Sequence, residues 1–170
     1  MNKMEEIRIE KITLNIGAGK EQPKIEKGIA LLKSITNAKP VKTFATKRIP
    51  EWGIRPGLPV GCKVTLRKEN AYHLLVRLLK SKDNILKRKQ FDNNGNIAFG
   101  IPEYIDIPDV KYDPKIGVMG LEICISLEKP GFRIKRRAFK KSSIGHKHKI
   151  TKEDSIKFME QKFQLKIQEE

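Results

Sequence analysis

The sequence predicts an α+β fold: a mostly antiparallel sheet with helices packed on one face, a long Pro/Gly-rich loop and a basic C-terminal segment. Three observations carry this prediction. Short runs alternate apolar and polar residues, the period of a half-buried strand. Longer runs repeat apolar residues at helical spacing. Their order along the chain is strand, helix, strands, helix, strands, helix. At 170 residues, one domain spanning 1–170 is expected.

The elements follow in turn. In 7–16, IRIEKITLNI, residues Ile12, Leu14 and Ile16 alternate with Lys11, Thr13 and Asn15. Ile7 and Ile9 fall on the opposite phase, so a bulge is expected near Glu10. Gly17-Ala18-Gly19 ends that strand, and Pro23 suits the first turn of a helix. Ile25, Ile29, Leu32 and Ile35 form its stripe, and Asn37 and Pro40 close it. VKTFAT (41–46) reads as a second strand. GCKVTLR (61–67) reads as a third, with Cys62, Val64 and Leu66 on one side.

Residues 69–80 follow as a helix with Tyr72, Leu75, Val76 and Leu79 inward. Asn94-Gly95 predicts a tight turn into a short strand at IAF. Three prolines make 101–117 a loop with at most one short strand, and LEICISL (121–127) alternates cleanly. Thr151 and Asp154 form a capping-box start for a helix over 151–167, with Ile156, Met159, Phe163 and Ile167 along one side. No internal repeat is visible.

Charge narrows the function. The chain carries 36 Lys and Arg against 20 acids, a net charge of +16. Such a surface repels itself unless a partner neutralises it, and nucleic acid phosphate is the commonest such partner. Anionic membranes come second as partners of such a surface, but there is no run of 18 apolar residues, so no membrane-spanning segment is expected. MNKMEEIRIEK lacks the apolar core of a signal peptide, so no leader is expected. Residues 129–149 hold nine basic residues and no acid, more than half of the excess charge. Arg133, Lys135, Arg136, Arg137, Lys140, Lys141, Lys147 and Lys149 are therefore candidate phosphate contacts. Gly131, Ser142-Ser143 and Gly145 predict that this segment is extended or mobile when free.

The sheet adds a second surface. Its apolar side must meet the helices, which leaves Thr13, Asn15, Lys63, Thr65 and Arg67 on the other. A solvated face accounts for this polarity, since antiparallel sheets tolerate one wet side. The bias toward donors and cations points instead to a nucleic acid lying there.

The loop KRIPEWGIRPGLPVG (47–61) holds the single tryptophan. Prolines stiffen it, and glycines allow close backbone approach. Lys47, Arg48 and Arg55 suit phosphates. Trp52 suits either stacking on a base or ribose, or folding back as an anchor of the loop.

Catalysis finds no support. Gly17-Ala18-Gly19-Lys20-Glu21 is too short for a phosphate loop, and Glu21 would repel a phosphate. His146 and His148 lack a third ligand, and the surrounding lysines oppose a cation, so no metal or cofactor is expected. Cys62 and Cys124 form no CxxC and read as two buried, reduced thiols.

Five segments occur in a specific order: KITLNIGAG (11–19), KPV (39–41) after the proline-ended helix, GIRPGLPVGCKVTLR (53–67), FDNNGNIAFGIPEYI (91–105) and KYDPKIGVMGLEI (111–123). Together they resemble the large-subunit ribosomal protein five family, which binds 5S rRNA in the central protuberance. KRRAFKKSSIGHKHKITKED (135–154) is similar to the archaeal and eukaryotic branch. The resemblance covers essentially the whole chain.

It implies a non-enzymatic cytoplasmic protein of the large ribosomal subunit, touching 5S rRNA and large-subunit rRNA. The implied 5S rRNA site includes Asn15, Lys39 and Thr65, with Thr13, Asn37, Lys63 and Arg67 as neighbours. The loop of 47–59, with Lys47, Arg48, Trp52 and Arg55, would reach the P-site tRNA. A bridge to a small-subunit head protein is also implied, with exposed parts of 101–117 as candidates. Many relatives have Gly-Gln before the Lys-Pro, whereas this chain has Asn37-Ala38, so the glutamine amide is missing. The alternative reading is a free-standing RNA chaperone or regulatory RNA-binding protein.

Overall fold

The structure is a computed structural model that describes residues 2–168. Five strands form one sheet: β1 (Arg8–Gly17), β2 (Val41–Phe44), β3 (Pro59–Leu66), β5 (Ile97–Ile101) and β6 (Leu121–Glu128), in the order β2-β3-β1-β6-β5. Every neighbouring pair is antiparallel. The central strand, β1, sets Thr13 between Thr65 and Cys124, and Asn15 between Lys63 and Glu122. Its register against β6 shifts between Ile9 and Lys11, the bulge expected near Glu10.

Burial alternates as the sequence predicts. Ile12, Leu14, Ile16, Cys62, Val64, Ile97, Phe99, Ile101, Leu121, Ile123, Ile125 and Leu127 are all buried in the core. Helix α1 (Gln22–Thr36) lies against β3, and α2 (Lys68–Lys80) against β1. Close approach of α1 depends on Gly28, where a Cβ would stand 2.9 Å from Cys62 Sγ.

Helix α2 turns a different stripe inward: Ala71, Leu74, Leu75, Leu78 and Leu79 are buried, while Tyr72 is 43% exposed. Tyr72 sits at the flank of the helix and packs on Phe163, with ring centroids 5.3 Å apart. That contact is tertiary, so helical spacing alone mis-assigns the residue. Cys124 also departs from expectation. It is exposed, because its register opposite Thr13 puts it on the side away from the helices.

The last helix, α4 (Lys152–Phe163), begins with the expected capping box. The Asp154 amide donates to Thr151 Oγ1 at 3.2 Å, and the Thr151 amide donates to the Asp154 carboxylate at 3.1 Å. The helix stops at Phe163 rather than at 167, because Gln164 turns left-handed (φ 52°). Ile167 instead joins β7 (Lys166–Gln168), which pairs in parallel with β4 (Ile85–Lys87), opposite Leu86. Strands of three residues are too short to show a period, which is why neither was visible in the sequence.

Between β5 and β6 there is no further strand. Tyr104 is fully buried, and its hydroxyl accepts the Asp113 amide at 3.0 Å, fixing the loop from inside. Within the basic segment, Arg133–Arg136 forms one helical turn, α3, and the rest has little regular structure.

A candidate nucleic-acid interface

Among the described residues, the side of the sheet opposite α1 and α2 is open across its centre. Two rows cross it. One runs Val41, Lys63, Asn15, Glu122 and Gly100; the other runs Thr65, Thr13, Cys124 and Ala98. The Thr13 and Thr65 hydroxyls lie 3.4 Å apart. The Asn15 amide donates to the Glu122 carboxylate at 3.4 Å. Lys63, Thr65, Glu122 and Cys124 are exposed, and Thr13 and Asn15 half-buried. Ala98 and Gly100 keep the β5 side flat. A flat surface carrying hydroxyls, an amide and an ammonium suits ribose 2′-hydroxyls and phosphate oxygens, which offer both acceptors and donors.

Asn37 and Lys39 are exposed on the approach to β2, at the same edge of the sheet. Asn37 closes α1 in the left-handed conformation (φ 52°), a backbone state that glycine and asparagine both accept. Asparagine at this point is therefore compatible with the turn that ends α1. Ala38 is half-buried against the core and offers no amide side chain.

Sequence reasoning missed three features of this face. Val41 and Phe44 are large, apolar and exposed along the edge strand, opposite Lys63 and Pro59. Glu122 is a carboxylate in the middle of a donor-rich row. None could be assigned to the face without the strand register.

Two predicted contacts, Arg67 and Arg136, are ion-paired within the protein. Arg136 Nη1 lies 2.7 Å from Glu10, and its Nη2 lies 2.8 Å from Glu128. Arg67 Nη1 approaches the same Glu10 oxygen at 3.3 Å, and Arg8 Nη2 lies 2.8 Å from Glu128. Glu10 thus takes the Arg67 and Arg136 guanidinium groups and Glu128 takes those of Arg8 and Arg136, which ties the basic segment to one end of the sheet. Arg136 acts there as an anchor. Arg133, Lys135, Arg137, Lys140, Lys141, Lys147 and Lys149 are exposed.

The loop after β2 is more ordered than its composition suggests. Ile49 and Ile54 exchange backbone hydrogen bonds of 2.9 and 3.1 Å, and the Ala45 amide bonds Leu58 O at 2.9 Å. A 3₁₀ turn at Pro50–Trp52 caps this small hairpin, and Gly53 (φ 64°) completes it. Ile54 is buried and holds the loop, whereas Trp52 at the turn is 65% exposed. The anchoring role therefore falls to Ile54, and the indole is left outside. Lys47, Arg48 and Arg55 are exposed around it.

Comparison with known proteins identifies the scaffold. Residues 2–55 match the family described as "Ribosomal protein L5", and residues 59–164 match the model of that ribosomal family's C-terminus. The chain belongs to the ribosomal protein L5 family. Proteins named "Large ribosomal subunit protein uL5" are similar over nearly their full length. That of Nanoarchaeum equitans is 49% identical over 165 residues, covering 96% of this chain and 97% of the relative. That of Sulfolobus acidocaldarius is 41% identical, covering 99% and 94%. That of Methanobrevibacter smithii is 42% identical, covering 97% of each.

Membership in the L5 family makes this a ribosomal, RNA-associated protein with a structural rather than an enzymatic role in translation. The two family regions meet inside the Pro/Gly-rich loop, yet they share one sheet. β1 and β2 come from the first region, and β3, β5 and β6 from the second.

Proposed function

We propose that this L5-family chain is a structural constituent of the large ribosomal subunit and that it holds 5S rRNA against the open face of its sheet. The observation that carries the reading is the uncovered pair of rows with Thr13, Thr65, Asn15 and Lys63 at their centre. Recognition there works through shape and backbone: hydroxyls and an amide meet ribose and phosphate on a rigid plane, and exposed cations neutralise charge. Asn37 and Lys39 extend the site at the β2 edge.

The hairpin carrying Trp52, Lys47, Arg48 and Arg55 is a separate contact, directed at P-site tRNA. Its exposed indole and its fixed turn support that role. The bridge to a small-subunit head protein is formed by the 101–117 loop. That loop exposes Ile105 and Tyr112, and it carries four acids against two lysines, a charge opposite to that of the chain as a whole. Apolar side chains among acids suit a basic protein partner.

Binding of wild-type, Asn15→Ala, Thr65→Ala and Arg55→Ala proteins to isolated 5S rRNA tests the division of the surface. Asn15→Ala and Thr65→Ala are expected to weaken binding, and Arg55→Ala to leave it unchanged. For roughly six to eight phosphate contacts, affinity should drop on the order of a thousandfold or more between 50 and 200 mM salt. A ranking that puts Arg55 above Asn15 and Thr65 overturns the assignment. Sedimentation with large subunits separates this function from that of a free RNA chaperone.

A further inference from the structure

Phe139 is the most exposed large apolar side chain among the described residues, at 77%. It lies in the middle of the segment that carries no acid, with Lys135, Arg137, Lys140 and Lys141 around it. An apolar ring left in water among cations is not explained by folding, since it contributes nothing to the core.

The local backbone holds the ring outward. Arg137 Nε donates to the Lys140 carbonyl at 2.8 Å, bridging the residues on either side of Phe139. The Ser142 amide donates to Ile134 O at 3.3 Å and closes the base of the turn. Lys140 takes a left-handed conformation (φ 49°), which is uncommon for a residue with a side chain. Its ammonium stands 5.5 Å from the centre of the Phe139 ring. Below the turn, Arg136 fixes the segment to Glu10 and Glu128. The result is a tethered knuckle with an aromatic tip and a cationic rim.

We infer that this knuckle is a second RNA-binding site, in which Phe139 stacks on one unpaired base while Arg137, Lys140 and Lys141 hold the flanking phosphates. Charge selects the partner. The rim is wholly cationic, so it favours a polyanion. A single-stranded or looped RNA offers an exposed π-face next to each phosphate, whereas a duplex hides its bases within the stack. The inference rests on the RNA-binding reading of the chain but uses none of the open-face residues.

The test uses the full-length protein and a 12-nucleotide single-stranded oligoadenylate, with a 12-base-pair RNA duplex as the comparison. Phe139 is exposed, so its substitution spares the fold. Phe139→Ala should weaken oligoadenylate binding about 5- to 150-fold, the range for loss of one stacked base, with the salt slope unchanged. Duplex binding should be unaltered, and Phe139→Leu should not restore affinity. In a Trp52→Phe background, Phe139→Trp supplies the only tryptophan, and its fluorescence should be quenched by oligoadenylate.

Equal oligoadenylate binding by wild type and Phe139→Ala overturns the inference. So does full rescue by Phe139→Leu, which signals a merely apolar contact. Fluorescence of the Phe139→Trp variant that responds to phosphatidylglycerol vesicles and not to oligoadenylate also overturns it, because the knuckle would then be a membrane contact. These failures leave the effects of Asn15→Ala and Thr65→Ala on 5S rRNA intact. Failure of the open-face reading removes those effects and leaves the Phe139 result standing.

Discussion

Replacing Arg136 by methionine removes two charge-assisted hydrogen bonds at once while keeping most of the aliphatic stem. The guanidinium spans Glu10 at 2.7 Å and Glu128 at 2.8 Å, and both carboxylates are largely shielded from water. Stripping the partner from a fully buried charge costs about 3–5 kcal/mol. Here the loss is smaller. Arg136 is itself 44% exposed, Glu10 keeps Arg67, and Glu128 keeps Arg8. We expect a destabilisation of about 2 kcal/mol. For a chain of this length that corresponds to a fall in Tm of about 4–8 °C.

Chemical denaturation of Arg136→Met, wild type and an Arg8→Met control is the assay. Arg8 is 60% exposed and, among the described residues, is ion-paired with Glu128 alone, so its loss should cost under about 1 kcal/mol. Limited trypsin digestion should show faster cleavage across 133–141 in Arg136→Met, because the anchor of the segment is gone. If Arg136→Met loses no more stability than Arg8→Met, the double bridge is not what holds the basic segment in place.

Further expectations concern stability and pH. Thr151→Ala should cost about 0.5–2 kcal/mol by removing the cap of α4, measured by thermal unfolding. Burial pushes the Asp154 carboxyl up, but the Thr151 amide and hydroxyl and the nearby Lys129 and Lys157 outweigh it and hold the group below its ordinary value. The stability it contributes is therefore present above the ordinary carboxylate range and is lost as pH falls below about 4. Asp154→Asn should flatten that part of the acid unfolding curve. Burial pushes the Cys62 thiol up to about 11. Its contribution is full below its ordinary value and fades as pH rises toward 11, by at most about 3 kcal/mol. The gap in stability between wild type and Cys62→Ala should narrow over that window.

Much of this molecule can be read from its residues. The alternation in 11–16, 61–67 and 121–127 yields both the buried core and the polar face, because the strand period is strict and one side must meet helices. The bulge at Glu10 shows as a phase change, and the Thr151–Asp154 box shows as a helix start. What stayed hidden depends on contacts between distant segments. Tyr72 lies off the buried stripe of its helix and packs on Phe163, from far along the chain. Cys124 is exposed because of its register opposite Thr13. Arg136 looked like one more phosphate ligand, and only folding brings it to Glu10 and Glu128. The hairpin order around Trp52 comes from the Ile49–Ile54 bridge, which composition cannot reveal.

Cys124 also supplies the most direct test of the open face, since it sits beside Thr13 in the middle of that surface and is exposed, whereas Cys62 is buried. N-ethylmaleimide labelling of the free protein and of its complex with 5S rRNA can be compared by mass spectrometry. We predict that Cys124 reacts in the free protein and is protected in the complex, with Cys62 silent in both. Equal labelling of Cys124 with and without bound 5S rRNA would mean that the RNA lies elsewhere.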